Sequence, residues 1–166
     1  MSAPEQTADQ FPIRVAMEAR DLAAAVAAFA PDAVVRSPFT DGVAFTGTEQ
    51  VRTILSVVLE VFPDLHYTGH VRDGERGALL ARATAAGRRV DMVDVYELNG
   101  EGKIRELTVF FRPLPGTTAA LRLIGGALGA RKSSAPGRLI GVLAAPMGAM
   151  SALGDRVASA LVRPVL

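Results

Sequence analysis

The chain of 166 residues has no cysteine, no tryptophan, two histidines, and only seven Phe and two Tyr. Without cysteine there is no thiol nucleophile, no thioredoxin-like redox motif, no zinc ribbon and no disulfide framework. Charge of one sign is also scarce, because 18 Lys and Arg face 17 Asp and Glu and leave a net charge of +1. No basic stripe is interleaved with aromatics, so nucleic acid is not an expected partner. A long hydrophobic run is missing too. The longest uncharged stretch, residues 139–154, holds 16 residues with Pro146 and three glycines, and a bilayer span needs about 20 predominantly apolar residues. The opening MSAPEQTADQ lacks the charged-then-apolar pattern of a signal peptide, which points to a cytoplasmic protein. No Gly-rich phosphate loop precedes a helix and no ligand cluster has metal spacing, so neither cofactor nor metal is expected.

What is present fills one domain. A chain of this length buries about two-thirds of its unfolded surface, enough for a single core without staples. Composition shifts at residues 112–116, RPLPG, where a β-rich pattern gives way to an Ala/Gly/Leu-rich tail. Residues 1–116 carry −4 and residues 117–166 carry +5, so a boundary is placed after Gly116. In the first part, Ile13, Met17, Leu22, Val26 and Phe29 fall at helical spacing, with a break near Arg20-Asp21. Residues 33–37 form a short β-branched run ended by Pro38. Thr46 followed by Glu49 has capping-box spacing ahead of an apolar stripe at Val51, Ile54, Leu55, Val58, Leu59 and Phe62. Strands are then predicted over residues 65–71, 77–85, 88–98 and 104–114, with turns at Asp73-Gly74, Ala86-Gly87 and 99–102. Helices, a strand pair, a helix and a four-strand meander make an α+β pattern.

Period two in the third of these strands puts Val90, Met92, Asp94, Tyr96 and Leu98 on one face, and Asp91, Val93, Val95 and Glu97 on the other. Both faces are apolar at the centre, a pattern that calls for cover on both sides and burial of Asp94. Burial disfavours the charged carboxylate and raises its pKa. Asp94 is then either a structural acid bonded to Tyr96, Thr108 or backbone, or a functional one.

The phrases EARDLAAAVAAFAPDAVVRSP, TGHVR and MVDVYELNGEGKIRELTVFF, in this order, resemble the SnoaL-like and ketosteroid-isomerase-like branch of the nuclear-transport-factor-2-like superfamily over residues 8–115. The resemblance implies a cone: a curved, mostly antiparallel sheet wrapped around helices, with one apolar pocket and a tendency to dimerise through the outer sheet face. It implies a pocket lined by Met17, Ile54, Leu55, Leu59 and Phe62 from helices, and by Leu79, Ala81, Met92, Asp94, Tyr96, Leu107, Val109 and Phe111 from strands. Apolar residues at such spacing also serve as ordinary core.

Ketosteroid isomerases use a carboxylate base and an oxyanion hole of a Tyr and a protonated Asp. The protonated Asp matches Asp94. The base position falls on Ser37 and the Tyr position on Ile13, so a standard steroid isomerase is not expected. Asp41 is the nearest carboxylate that could replace the base, or it simply forms a turn before Gly42. His66 and His70, four apart in a regular strand, would share a face about 13 Å apart, too far for one metal ion, and a surface role is expected for both.

In the tail, Leu121, Ile124 and Leu128, then Leu139, Leu143, Met147, Met150, Leu153, Val157 and Leu161, recur at helical steps. These two helices would pack on the protein's own sheet, on a second subunit or on an anionic membrane surface. The sequence thus leads to an isomerase or cyclase acting beside a carbonyl of an apolar polycyclic or polyketide-like substrate, with Asp94 as acid or enolate-stabilising donor. The other readings are a non-catalytic module that binds a small apolar ligand, and an interaction protein that uses its tail.

Overall fold

The computed structural model describes residues 10–131. Two short helices come first, α1 (Pro12–Glu18) and α2 (Leu22–Ala27). Pro12 occupies the first turn of α1, where its missing N–H is harmless. The break between the helices falls at Arg20, which takes a left-handed φ of 58°. Asp21 then caps α2 by accepting the Ala24 N–H at 2.9 Å. The Arg20 guanidinium donates to the carbonyls of Leu59, at 2.6 Å, and Pro63, at 3.3 Å, and so ties this corner to the far end of the next long helix.

Strand β1 (Phe29–Arg36) begins four residues before the expected start. It contains Pro31 because its first half is irregular. Phe29 pairs with Ile104, and regular pairing resumes only at Val34 with Glu106, so the missing proline N–H interrupts no ladder. Strand β2 (Ala44–Thr46) leads into α3 (Gly47–Val61). The expected capping box is replaced here. The Thr46 side chain makes no cap bond, and Gln50, one residue beyond Glu49, accepts the Thr46 N–H at 2.9 Å.

Strands β3 (His66–Asp73), β4 (Arg76–Ala85), β5 (Arg88–Leu98) and β6 (Ile104–Arg112) complete a curled, unclosed six-stranded sheet. Its order is β2-β1-β6-β5-β4-β3, antiparallel except where β1 runs parallel to β6. Across its inner face Tyr67, Ala81, Met92 and Phe111 form one cross-strand row, and His70, Leu79, Asp94 and Val109 the next. Tyr67 and His70 are three apart and would face opposite sides of a regular strand. A bulge between Tyr67 and Gly69 inserts one residue and turns both inward. The same bulge separates the histidines: His66 pairs with the outward Arg82, and His70 with the buried Leu79. The shared face expected for them is therefore not formed.

Helix α4 (Leu114–Arg131) follows β6 directly. The boundary expected after Gly116 lies inside it, and Pro115, Gly116, Thr118, Ala119, Ala120 and Ile124 are buried. The small residues that marked the composition shift are what lets the helix pack closely. A Cβ on Gly116 would stand 2.2 Å from the Arg89 carbonyl oxygen. The basic linker and the second tail helix expected through Leu139 and Leu161 lie outside the described residues. Among the described residues nothing covers the outer sheet face as β5's two apolar faces predicted, and Val71, Leu80, Val95 and Phe110 are exposed.

Candidate functional site

The curl of the sheet leaves a cavity of about 280 Å³ between its inner face and the helices. Ten residues singled out from the sequence line it together: Met17, Ser37, Leu55, Phe62, Leu79, Met92, Asp94, Leu107, Val109 and Phe111. Ile13 and Ile54 line it as well. Leu59, Ala81 and Tyr96 do not; all three are buried in the core beside it. The sequence reading missed three contributions. Phe39, Val43 and Phe45 form a wall beside the end of β1, Leu121, Ile124, Gly125 and Leu128 of α4 form another, and Tyr67 adds a hydroxyl-bearing ring.

Asp94 sits mid-strand in β5, paired with Leu79 on one side and Val109 on the other. Its carboxyl makes no hydrogen bond with another described residue and is accessible only in part. Loss of hydration is the cause that raises its pKa to about 7. Burial in this mostly apolar cavity disfavours the charged form, so neutral and ionised forms are balanced near neutral pH. None of the expected partners, Tyr96, Thr108 or backbone, is bonded to it.

Tyr67 comes to the same cavity from β3. Its N–H donates to Glu18 Oε1 of α1 at 2.8 Å, which fixes the strand immediately before the bulge. Burial, then the charges of Asp94 and Glu18, push the Tyr67 hydroxyl well above the ordinary tyrosine range, against a smaller pull from Arg14. The group therefore stays protonated and can donate. Two proton-bearing oxygens of different acidity thus share one apolar enclosure, an arrangement suited to charge developing on a ligand oxygen.

Ser37 lines the cavity, but its Oγ is engaged at the start of the turn, where it accepts the Phe39 N–H at 3.1 Å. Asp41 is exposed and lines an outer groove with Thr108 and Phe110, a groove that shares Arg36, Ser37, Pro38, Phe39, Thr40, Val43 and Val109 with the apolar cavity. Asp41 itself is not among the residues that line the apolar cavity.

His70 is the larger surprise. Half-buried rather than on the surface, it lies 2.6 Å from the Tyr96 hydroxyl through Nε2. Phe11 covers both rings at centroid distances of 4.8 and 4.7 Å. This cluster pins Tyr96 one row beyond Asp94 and explains why that tyrosine is absent from the lining. No group of three or more His, Cys, Asp or Glu that could hold a metal ion occurs among the described residues. No described helix is long and apolar enough to cross a membrane.

A curled sheet, helices across its open side and an apolar cavity between them define the nuclear-transport-factor-2-like class of folds. The chain belongs to the SnoaL-like domain family, whose sequence profile matches residues 13–107. Among solved structures it is similar to a steroid delta-isomerase from Pseudomonas aeruginosa, with 27% identity and a TM-score of 0.69, over 80% of this chain and 100% of that one. It is also similar to an uncharacterised protein with a cystatin-like fold from Silicibacter pomeroyi, at 23% identity and a TM-score of 0.65, over 80% and 91% of the two chains. A third likeness is to the epoxide hydrolase/cyclase-like enzyme SalBIII of pyran ring formation in salinomycin, at 24% identity and a TM-score of 0.50, over 60% and 84%. A search of curated protein sequences gives no match.

Proposed function

We propose that the protein is a small-molecule isomerase or cyclase that moves a proton beside a carbonyl group of a compact apolar ligand. The observation that carries this reading is Asp94, a lone carboxyl with a pKa of about 7 facing an apolar cavity. In its ionised form Asp94 takes a proton from the carbon next to the carbonyl while the Tyr67 hydroxyl donates to the oxygen that gains charge. The resulting Asp94 acid returns the proton to another carbon of the same conjugated system, so the double bond moves and no atom is gained or lost. A group titrating near the working pH suits both halves of that cycle. The likeness to a steroid delta-isomerase supports the choice of chemistry. A volume of about 280 Å³ is at the low edge of the ~300–1,000 Å³ usual for drug-sized ligands and favours a ligand of few rings.

The test is deuterium incorporation from D₂O into β,γ-unsaturated cyclic ketones, followed by NMR. The wild-type protein is expected to exchange the protons beside the carbonyl and to move the double bond. Asp94→Asn should lower the rate by ~10²–10⁴-fold, and Tyr67→Phe by about 10²-fold. Ketones that bind without exchanging would instead favour a binding module in which Asp94 only orients the ligand. We also propose that the outer sheet face pairs with a second copy of the chain, because its exposed strip of Val71, Leu80, Val95 and Phe110 has no cover among the described residues.

A further inference from the structure

Helix α4 meets the rest of the molecule in two different ways. Its first half is locked, with Gly116 against the Arg89 carbonyl and Thr118, Ala119 and Ala120 buried. Its second half spans the cavity toward α3, where Arg131 pairs with Glu60 at 2.7 Å on the surface. Leu121, Ile124, Gly125 and Leu128 line the cavity, at steps of three and four that place them on one helix face. Three of these positions carry a branched side chain and one carries none. Glycine inside a helix costs about 1 kcal/mol relative to alanine, so its presence on the cavity face needs a reason. The neighbouring Gly126 is exposed, and nothing lies within 4 Å of where its Cβ would be.

The sheet orients the ligand relative to this helix. Helix α4 starts just beyond the end of β6, and the Met92–Phe111 row is the nearer one. Asp94, paired with Val109, is one row further in, about 7 Å along the strand. A ligand whose carbonyl reaches Asp94 can extend past the Met92–Phe111 row toward the α4 wall of Leu121, Ile124, Gly125 and Leu128.

We propose that α4 gauges ligand length, and that the missing side chain at Gly125 makes room for an uncharged hydrocarbon end. This rests on the reading of the cavity as a site for an apolar carbonyl compound, and it adds the specificity element: a ketone with an aliphatic end of limited length. Among the described residues α4 brings no charged side chain to the cavity, so the helix offers a terminal carboxylate or phosphate no partner; the cation that lines the cavity, Arg36, comes from β1.

The test is calorimetric titration of the whole chain with methyl n-alkyl ketones of increasing length. Wild-type affinity is expected to climb about fourfold per methylene to a limiting length and then stop. Gly125→Leu should move that limit to shorter ketones, with at least about tenfold weaker binding of the ketone that fits wild type best. Gly125→Ala should move it less, and Leu128→Ala should move it to longer ketones. Gly126→Ala, on the outer side of the helix, should leave it unchanged. If Gly125→Leu does not fold, the opposite shifts expected of Gly125→Ala and Leu128→Ala carry the test. An unchanged limit in the folded variants, with ketones still binding, overturns the gauge alone. Failure of every ketone to bind wild type overturns the gauge and the apolar-ligand reading of the cavity together.

Discussion

At the scale of single residues, the site depends on keeping an acid in a place that does not solvate it. The Asp94 pKa rises from 3.8 to about 7 through burial, so the folded protein holds a proton that the unfolded chain has already released across that interval. Stability attributable to this group is greatest below about pH 4 and falls as pH rises, and the full penalty is present above pH 7. Linkage makes the difference at most about 4 kcal/mol. Asp94→Asn, which cannot ionise, should therefore gain stability relative to wild type between pH 4 and pH 8, as measured by urea denaturation at several pH values. Identical pH slopes in the two proteins would mean that Asp94 titrates like an exposed aspartate. That Asp94 is enclosed was legible in the sequence from the alternation of β5, because its neighbours Met92 and Tyr96 are large and its face is apolar. Tyr67 was not legible as a site residue. Only the chain's two tyrosines carry a phenol, yet strict alternation of β3 gives no reason to place one of them in the pocket.

The reason lies at the scale of elements. One inserted residue in β3 changes which side chains face inward, and the local sign of it in His66-Tyr67-Thr68-Gly69-His70 is Gly69, a glycine inside a strand, which marks a bulge without fixing which residues it turns inward. The bulge is fixed from outside the strand by Glu18 of α1, whose carboxylate accepts the Tyr67 N–H; it is a tertiary contact rather than a local preference. The element boundaries, by contrast, follow from local chemistry: the Asp21 cap, the turns at Gly74 and Gly87 with positive φ, and the stop before Pro63. Close packing at the end of the β3–β4 hairpin shows how little slack this part of the sheet has. A Cβ on Gly77 would stand 2.3 Å from the Tyr96 hydroxyl and 2.6 Å from the Val71 carbonyl oxygen. Gly77→Ala must displace the Tyr96 ring, its stack on Phe11 and its bond to His70. The expected cost is about 1–3 kcal/mol, seen as a lower thermal midpoint. An unaltered midpoint would show that the hairpin can move as a unit.

For the whole molecule, the composition shift near Gly116 falls inside a packed helix, and the alternation of β5 predicted cover that no described residue supplies to the outer sheet face. The change in residue types near Gly116 reads as a boundary because Ala and Gly are common in tails, but small residues are also what permits a helix to lie against a strand carbonyl. Ala120 and Ile124 complete the same core as Val51 and Val90, and Ile124 also lines the pocket beside Leu121, Gly125 and Leu128. On the other side of the sheet, Val95 and Phe110 are 42% and 54% exposed, although both belong to strands whose inner residues already supply a core. The strip they form is bounded by mixed charges: Arg82 and Arg89 with Asp91 at one end, and Arg36 with Glu106 and Arg76 with Glu97 at the other. A surface with an apolar centre and both signs at its rim can meet its own two-fold copy without forcing like charges together. Phe110→Glu places a carboxylate at the centre of that contact and leaves the core untouched. The wild-type protein should therefore sediment as a dimer and this variant as a monomer with the same circular dichroism. A wild-type monomer at the same concentration would leave the apolar strip to another partner and remove the second copy from the account of this fold.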